Sequence, residues 1–424
     1  MTRKIIDFLF KPDFRNYDWI NLSFYGVNLC LGAFLGSFVS VYVISTGVFA
    51  TLHFATGRLK WALPRPVNLV FYAFCGLFLV DLIAAAFHPS KIALNEIAEN
   101  LPFLGFAGIY SITFIDRVKL HKTMETLAAA ASFLGALLII LDIGNILGFG
   151  DTFRPELATG NSSVLALLGG ILYVFNVGAA VRRRDFGFWM HFAAAACSLY
   201  LVIATGTRAM WPVLLIIPLL GLFFFRSFRK PAWELPIVAL VLAGSVALVS
   251  MYSESIRVRF DAAQTDIQNV YSGDLSGSIG KRVQIYKAGL ELFLEKPLLG
   301  YGPGNEREEI AKKTLEAEGV AITFSHAHNA FLNAALRAGV LGLLALCGVV
   351  IVPFVMAWRA ERDDVGQAGF FTLCGILAVY MCSGLTGLML GHDIHDAVYI
   401  AAVCYSLYLV FGREEKGSAS AVKI

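Results

Sequence analysis

Long apolar runs separated by short charged segments constrain this chain more than any other feature of its sequence. A helix that crosses a bilayer needs about 20 mostly apolar residues, because unpaired backbone groups are costly in hydrocarbon. Runs of this kind lie at residues 20–36, 38–55, 66–87, 99–115, 125–148, 162–181, 187–205, 209–225, 233–251, 328–357, 368–388 and 394–411. With 57% hydrophobic residues and a mean hydropathy of +0.68, the chain lies outside the range of soluble domains. We predict an all-α polytopic membrane protein with about twelve transmembrane helices.

The distribution of Lys and Arg predicts the topology, because short cytoplasmic loops carry an excess of basic residues. Alternate short segments hold 21 Lys and Arg, whereas the intervening short segments hold only Lys91, Arg154 and Arg208. Both termini are therefore expected in the cytoplasm. The alternation also requires two helices in residues 20–55, joined by a tight turn near Gly36. The N-terminal residues do not resemble a cleavable signal peptide, so the first helix is expected to be retained.

Composition argues against several other classes of protein. The net charge of +3 is divided among clusters between the apolar runs and gives no nucleic-acid signal. The seven cysteines all lie in apolar runs without Cys-x-x-Cys spacing, which is typical of small buried hydrophobic residues. Neither a zinc site nor a disulfide framework is indicated. We expect neither a metal nor another cofactor.

One segment, residues 252–327, is long and polar, with 9 Lys and Arg and 11 Asp and Glu over 76 residues. The topology places it on the membrane face opposite the termini. It is long enough for a small lid but short for an independent domain. We therefore predict a bundle of about nine helices in residues 1–251, this loop, and about three helices with a cytoplasmic tail in residues 328–424.

Within this loop, helical spacing predicts an amphipathic helix that is suited to the membrane surface. Its apolar face is formed by Val283, Tyr286, Leu290, Phe293 and Leu294. Pro297 ends this helix, and residues 300–305 form a tight turn rather than a nucleotide-binding loop, because no strand precedes them. A second helix is predicted near Glu306–Glu318, ending at Gly319.

Two arginines on the face of the long loop are candidate ligands for a phosphate-bearing substrate. Arg208 lies between two predicted spans, in a set of segments almost devoid of cations. Arg282 opens the amphipathic helix after a run of small residues that would let a phosphate approach the backbone. A planar guanidinium can grip a diphosphate with two parallel hydrogen bonds. Alternatively, Arg208 is a snorkelling interfacial residue, and Arg282 is a solvated charge on a loop helix.

His328 is the candidate general base, at the predicted start of the tenth span. A helix N-terminus disfavours the protonated imidazole, which keeps the ring neutral and able to accept a proton from a sugar hydroxyl. The alternative is an interfacial histidine bonded to a backbone carbonyl. His326 is a rival base that the sequence does not distinguish from His328. A histidine base with two arginines indicates a polytopic glycan transferase.

Residues 392–396 (HDIHD) bring two histidines and two aspartates together in the last loop on the same face. Imidazole and carboxylate ligands at short range suit a metal. The same residues also suit a solvated turn that caps the last helix. We favour a structural or substrate-lining role over a metal site.

Three motifs lie between residues 280 and 342. They are GKRVQIY at 280–286, EKPLLGYG at 295–302, and His328-Asn329 followed after nine residues by Gly-Val-Leu-Gly at 339–342. In these motifs the chain resembles the O-antigen ligase and polymerase superfamily of bacterial envelope proteins. The number of spans and the single long loop before the tenth span also look like this superfamily. Two residues depart from it: Arg337 stands where many relatives carry an acidic residue, and Tyr286 stands where many carry tryptophan.

The resemblance implies the C-type glycosyltransferase fold and an inverting, metal-independent glycosyltransferase in the bacterial inner membrane, with a periplasmic active site. It implies an undecaprenyl-diphosphate-linked glycan as donor. Arg208 and Arg282 match arginines that act on the diphosphate, and His328 matches the proposed base. The candidate accessory residues are His326, Asn329, Lys281 and Tyr301.

Four functions remain open on the sequence. The leading hypothesis is transfer of a lipid-linked O-antigen to lipid A-core. A polymerase that joins lipid-linked repeat units would use the same donor and a similar loop. Transfer to protein is less favoured without an extra soluble domain. A transporter would need ionisable residues along a pathway at the membrane midplane, whereas the notable cations here lie at one face.

Overall fold

The computed structural model of the 424-residue chain describes residues 18–141, 155–225, 254–324 and 326–414, with the backbone alone for residues 254–260 and 263. These residues form helices and turns without a strand. The α-helices in chain order are α1 (Asp18–Tyr25), α2 (Gly32–Leu35), α3 (Phe38–Ala55), α4 (Arg65–Phe87), α5 (Lys91–Asn100), α6 (Phe106–Ser111), α7 (Arg117–Ile140), α8 (Ser162–Arg182), α9 (Phe186–Ala204), α10 (Val213–Phe224), α11 (Glu254–Tyr271), α12 (Ser278–Glu295), α13 (Glu306–Glu318), α14 (Ala330–Arg359), α15 (Asp364–Thr386) and α16 (Asp393–Phe411). The predicted all-α fold class is confirmed.

Among the described residues, eight helices are long and apolar enough to cross a membrane, so the chain is a multi-pass membrane protein. They are α3, α4, α7, α8, α9, α14, α15 and α16. Helices α8 and α16 are almost wholly buried and lie inside the bundle, where α8 packs against α7, α9 and α15. Twelve spans stay a prediction. The ninth predicted run, residues 233–251, lies outside the described residues, and the runs at 20–36, 99–115 and 209–225 hold only helices shorter than 18 residues.

The predicted turn in residues 20–55 is present. A π-helix at Gly26–Cys30 and then α2 follow α1, and the chain breaks at Gly36 before α3 begins. Gly36 has φ +54, and a Cβ atom there would lie 2.2 Å from the Ala158 carbonyl oxygen. Glycine alone fits this backbone conformation and this close approach. The division of this apolar run into two parts is therefore confirmed.

Two predicted spans differ from the helices in the structure. The predicted span at residues 99–115 is divided by the 3-10 helix Leu101–Gly105, which lies between α5 and α6. Pro102 lacks a backbone N–H and interrupts the helical ladder, which apolarity alone does not reveal. Helix α7 starts at Arg117 rather than at residue 125, because the Asp116 side chain accepts a backbone N–H from the first turn. The basic residues assigned to a loop therefore belong to the first turns of this helix.

Helix α14 is kinked where Ala338 and Gly339 leave helical conformation. The kink frees backbone groups that a continuous helix would pair internally. Residues 297–302, which we call the docking turn, pair with these groups through three backbone hydrogen bonds. The bonds run from Val340 N to Pro297 O at 2.7 Å, from Tyr301 N to Leu336 O at 2.8 Å, and from Gly302 N to Arg337 O at 2.9 Å. The long loop is thereby fixed to a helix of the bundle.

Two glycines make this close approach possible. Gly339 has φ +64, and a Cβ atom there would lie 2.2 Å from the Leu298 carbonyl carbon. Gly300 has φ +62, and a Cβ atom there would lie 2.3 Å from the Leu336 carbonyl oxygen. Positive φ strains a residue that carries a side chain. The second and third sequence motifs thus meet in space at glycines.

The two predicted loop helices are present, with bounds close to those expected. Helix α12 ends at Glu295, just before Pro297, and α13 ends at Glu318, followed by Gly319 in the left-handed conformation. The buried face of α12 carries Gly280, Ile285, Ala288, Gly289 and Leu292. Three residues of the predicted apolar face are 41%, 56% and 67% exposed, namely Val283, Leu290 and Leu294. On the other side of α12, small residues let Leu332 of α14 approach closely.

We predict that Gly339→Ala lowers the free energy of unfolding by more than about 2 kcal/mol, because the new Cβ atom would strain φ and displace the docking turn. Gly348→Ala is the matched control. Gly348 lies in the same helix with no atom within 4 Å of its Cβ position. Alanine there is expected to be neutral or to stabilise by up to about 1 kcal/mol. Thermal unfolding in detergent measures both variants, and equal stability would contradict the role of the docking turn.

Candidate functional site

Asn329 caps α14 and anchors it to a neighbouring helix. Its side-chain oxygen accepts hydrogen bonds from the Phe331 and Leu332 N–H groups, both at 3.0 Å. Its amide nitrogen donates to the Leu385 carbonyl oxygen at 3.2 Å, near the end of α15. His328 therefore lies just before the helix, whereas the sequence placed it at the first helical position.

His328 is held in an unusual backbone conformation. Its φ is +51, which few residues other than glycine adopt. The Tyr286 hydroxyl donates a hydrogen bond of 2.8 Å to the His328 carbonyl oxygen. The ring centres of Phe324 and His326 lie 4.6 and 4.5 Å from the centre of the imidazole. Strained backbone that its surroundings maintain clusters at functional sites, which supports a role for this histidine.

Both candidate bases are neutral at neutral pH. Burial lowers the pKa of His328 to about 4, and the positive charge of Arg282 adds to that shift. Burial also lowers the pKa of His326 to about 4, with further contributions from His328 and nearby arginines. A neutral imidazole can accept a proton. The surroundings therefore keep both rings in the form that a general base requires.

Arg282 lies in the first turns of α12, close enough to both histidines for its charge to lower their pKa values. Its side chain is half-buried, and among the described residues no carboxylate lies within ion-pair distance of it. Lys281 is exposed beside it. These two cations lie at a helix N-terminus, where the helix dipole also favours an anion. This end of α12 is therefore electrostatically suited to a phosphate group.

Arg208 opens the 3-10 helix Arg208–Met210 between α9 and α10 and is half-buried. Gly206 has φ +64 shortly before it, which produces the sharp turn after α9. The turn packs against α15. Because the end of α15 also binds the side chain of Asn329, this helix links the turn of Arg208 to the cap of α14.

Tyr301 contacts the end of α12. Its ring is buried, with the Lys296 Nζ atom 4.3 Å from the ring centre. Its hydroxyl donates to Glu295 Oε2 at 3.0 Å and lies 3.3 Å from the Leu292 carbonyl oxygen. Tyr301 therefore holds the docking turn against α12, and its hydroxyl is engaged there.

A buried ion-pair network that the sequence analysis missed surrounds Arg337 of α14. Its guanidinium contacts Asp81 Oδ2 at 2.9 Å and Glu96 Oε2 at 2.6 Å. Glu96 also pairs with Arg307 of α13 at 2.5 Å, so the network joins α4, α5, α13 and α14. Asp81 is the sequence signal that could have revealed the network. A carboxylate inside an apolar run is costly in a membrane and therefore marks a candidate functional residue. The cation at position 337, where many relatives carry an acid, is matched here by acids on other helices.

Residues 392–396 do not form a solvated turn. His395 and Asp396 are buried, and the Asp396 carboxylate accepts the Gly391 N–H at 3.0 Å. His392 occupies the N-cap position of α16 and lies close enough for its charge to lower the pKa of His326. Within the described residues, no group of three or more His, Cys, Asp or Glu side chains could hold a metal ion. These contacts give the segment a structural role at the start of α16.

Comparison with known proteins places these residues in a family. The family model described as O-antigen ligase matches residues 193–347, which include both arginines and both histidines. An uncharacterized protein of Haemophilus influenzae is 20% identical over 290 residues, covering 68% of this chain and 70% of that protein. The O-antigen ligase of Escherichia coli K12 is 23% identical over 216 residues, covering 49% of each chain. The resemblance seen in the sequence motifs is confirmed, because the segment that carries these motifs, residues 193–347, matches the O-antigen ligase family.

Proposed function

We propose that the chain is an inverting, metal-independent glycosyltransferase of the bacterial inner membrane. Its reaction is transfer of an undecaprenyl-diphosphate-linked O-antigen glycan to lipid A-core at the periplasmic face. The observation that carries this proposal is a neutral His328 close to Arg282, whose guanidinium has no carboxylate partner among the described residues. A base beside an uncompensated cation suits a reaction that deprotonates one substrate and releases an anion from the other.

In the proposed reaction, His328 takes the proton from an acceptor hydroxyl as the oxygen attacks the anomeric carbon of the donor sugar. The bond from this carbon to the diphosphate oxygen breaks on the opposite face, so the configuration inverts. Undecaprenyl diphosphate leaves with the bonding electron pair, and His328 later returns its proton to solvent. Arg208 and Arg282 hold the diphosphate and stabilise the charge that it gains. A diphosphate is a good leaving group, so the reaction needs no general acid.

The accessory residues have positional roles in this proposal. Asn329 holds the start of α14, Tyr301 holds the docking turn, and Lys281 adds positive charge beside Arg282. His326 is the alternative base, because its imidazole is also kept neutral.

The proposed topology follows from the alternation of basic segments. Both termini lie in the cytoplasm, and the loop of residues 252–327 covers the site from the periplasm. The bundle of residues 1–251 and the C-terminal helices of residues 328–424 support it in the membrane. Lipid-linked donor and glycolipid acceptor would both reach the site from the outer leaflet.

The first test supplies the purified protein with undecaprenyl-diphosphate-linked glycan and either lipid A-core or no other acceptor. We expect glycan on lipid A-core, and we expect His328→Ala to lower kcat by at least about 100-fold, the usual contribution of a general base. His326→Ala is the matched variant and should keep most of the activity. The reverse result would assign the base to His326. Chain growth on the donor alone would indicate a polymerase, and no turnover of either kind would favour a transporter.

We predict a pH profile set by the low pKa of His328. The imidazole acts as a base only when neutral, so kcat/KM should stay constant through neutral pH and fall as the pH drops through about 4. Rates measured with both substrates well below saturation give the midpoint for the free protein. A midpoint at the ordinary histidine pKa of 6.5 would contradict a base that is buried beside Arg282.

We predict that Tyr286→Phe lowers kcat about tenfold, because the His328 carbonyl loses its donor and the imidazole loses its fixed position. Tyr286→Trp is the matched control, since an indole N–H also donates. It should keep most of the activity, in line with the tryptophan that many relatives carry there. Steady-state transfer rates compare the two variants, and thermal unfolding checks that both fold. A phenylalanine variant as active as the wild type would refute the positioning role of this hydroxyl.

A further inference from the structure

A cleft lies between α4, α14 and the connection from α15 to α16. Its polar lining consists of Asp81, Asn100, Asn333 and Arg337, and its apolar lining includes Leu388 and Leu390. The reaction steps described above use none of these residues. A concave surface with a few polar groups on an apolar wall is the usual form of a small-molecule site.

The cleft begins close to the candidate base. Ala330 of the first helical turn of α14 lines it and follows His328 by two residues. Asn333 also lines it, and its Oδ1 atom accepts a hydrogen bond from the Ala327 N–H at 3.3 Å. One turn of helix rises about 5.4 Å, so the end of the cleft at Ala330 lies within about one turn of the residues that precede the α14 cap.

The charges around the cleft distinguish it from the anion-binding end of α12. Arg337, the cation in the lining, is committed to Asp81 and Glu96 through its two terminal nitrogens. A third acid, Glu306, is almost fully buried close enough to interact with the same guanidinium. The positive charge of Arg337 is therefore compensated, whereas that of Arg282 is not compensated by any described carboxylate. The cleft suits an uncharged polar ligand better than a diphosphate.

Two polar atoms of the lining have unused hydrogen-bonding capacity. Asp81 Oδ2 accepts bonds from Arg337 and Asn100 at 2.9 and 2.7 Å, while no described residue donates to Asp81 Oδ1. Asn333 Oδ1 is engaged, while Asn333 Nδ2 donates to no described residue. A sugar hydroxyl both donates and accepts, so neighbouring hydroxyls can satisfy this acceptor and this donor together.

We propose that this cleft is the subsite for the acceptor, and that it binds an uncharged, hydroxyl-bearing sugar of the acceptor glycolipid. Asp81 Oδ1 accepts from one hydroxyl, Asn333 Nδ2 donates to another, and the leucines cover the apolar face of the sugar ring. The acceptor hydroxyl that reacts is thereby oriented towards His328. This assignment rests on the proposed transferase function and adds the chemical class that the acceptor side recognises.

Asn333→Asp tests the assignment, because it keeps the acceptor for the Ala327 N–H and removes the Nδ2 donor. We expect the KM for lipid A-core to rise about 5- to 10-fold, the effect of one lost hydrogen bond, with the KM for the lipid-linked donor unchanged. Leu390→Trp, which fills the cleft, should raise the same KM further. Leu344→Trp is the matched control, since Leu344 is 63% exposed on α14 and lies outside the lining.

An unchanged KM for lipid A-core in both variants overturns the cleft assignment, and so does an effect confined to the donor KM. Thermal unfolding checks that both variants fold. If Leu390→Trp does not fold, the KM of Asn333→Asp for lipid A-core decides the assignment. Binding of lipid A-core is also measured without donor. Binding that Asn333→Asp weakens, in a protein that transfers no glycan, supports the cleft and overturns the transferase. A wild-type protein that does not bind lipid A-core overturns the cleft assignment whatever its activity with other acceptors.

Discussion

The kink of α14 and the three backbone hydrogen bonds that fill it determine the geometry around His328. Unpaired carbonyl and N–H groups inside an apolar bundle are costly, so a kink in a membrane helix must find partners elsewhere. The docking turn supplies them and fixes the long loop to the bundle. Helix α12 is fixed with it, through its packing on α14, and it brings Arg282 and Tyr286 to the residues that precede the α14 cap. This backbone pairing, together with the Tyr286 hydrogen bond and the Asn329 cap, therefore helps to place the candidate base His328 and the cation Arg282.

Two arginines, Arg337 beside this kink and Arg282 at the start of α12, differ in the charge that surrounds them. Arg337 lies inside the fold and is compensated by Asp81 and Glu96, as a buried cation must be. Arg282 lies at a helix N-terminus, half-buried, with no described carboxylate in ion-pair distance. The side of the site next to α12 is therefore positive, and the side next to α4 is close to neutral. In the proposed reaction the first side suits the diphosphate and the second suits sugar hydroxyls.

Much of the fold could be predicted from the sequence, because apolar runs and glycine breaks are local signals. The helical class, the break at Gly36 and the loop helix at Glu306–Glu318 all follow from patterns within a few residues. The face of α12 that packs on α14 did not follow, since it combines small residues such as Gly289 with Ile285 and Leu292 and depends on tertiary contact. The partners of Arg337 could not be predicted from the sequence either, because they lie on other helices that only tertiary packing brings close. The two arginines and two histidines all lie in the segment that matches the family, and their roles stay predictions.

Three main-chain hydrogen bonds join the docking turn to the bundle, and this affects how the chain tolerates change. Backbone hydrogen bonds do not depend on which side chain a residue carries, provided that the conformation is allowed. Leu298 illustrates this freedom, since its side chain is 69% exposed while its carbonyl lies against Gly339. Substitutions at such positions preserve the backbone hydrogen bonds of the docking turn, whereas Gly300 and Gly339 cannot be replaced without strain. The loop can therefore diversify its outward chemistry over evolutionary time while its attachment to the membrane helices stays the same.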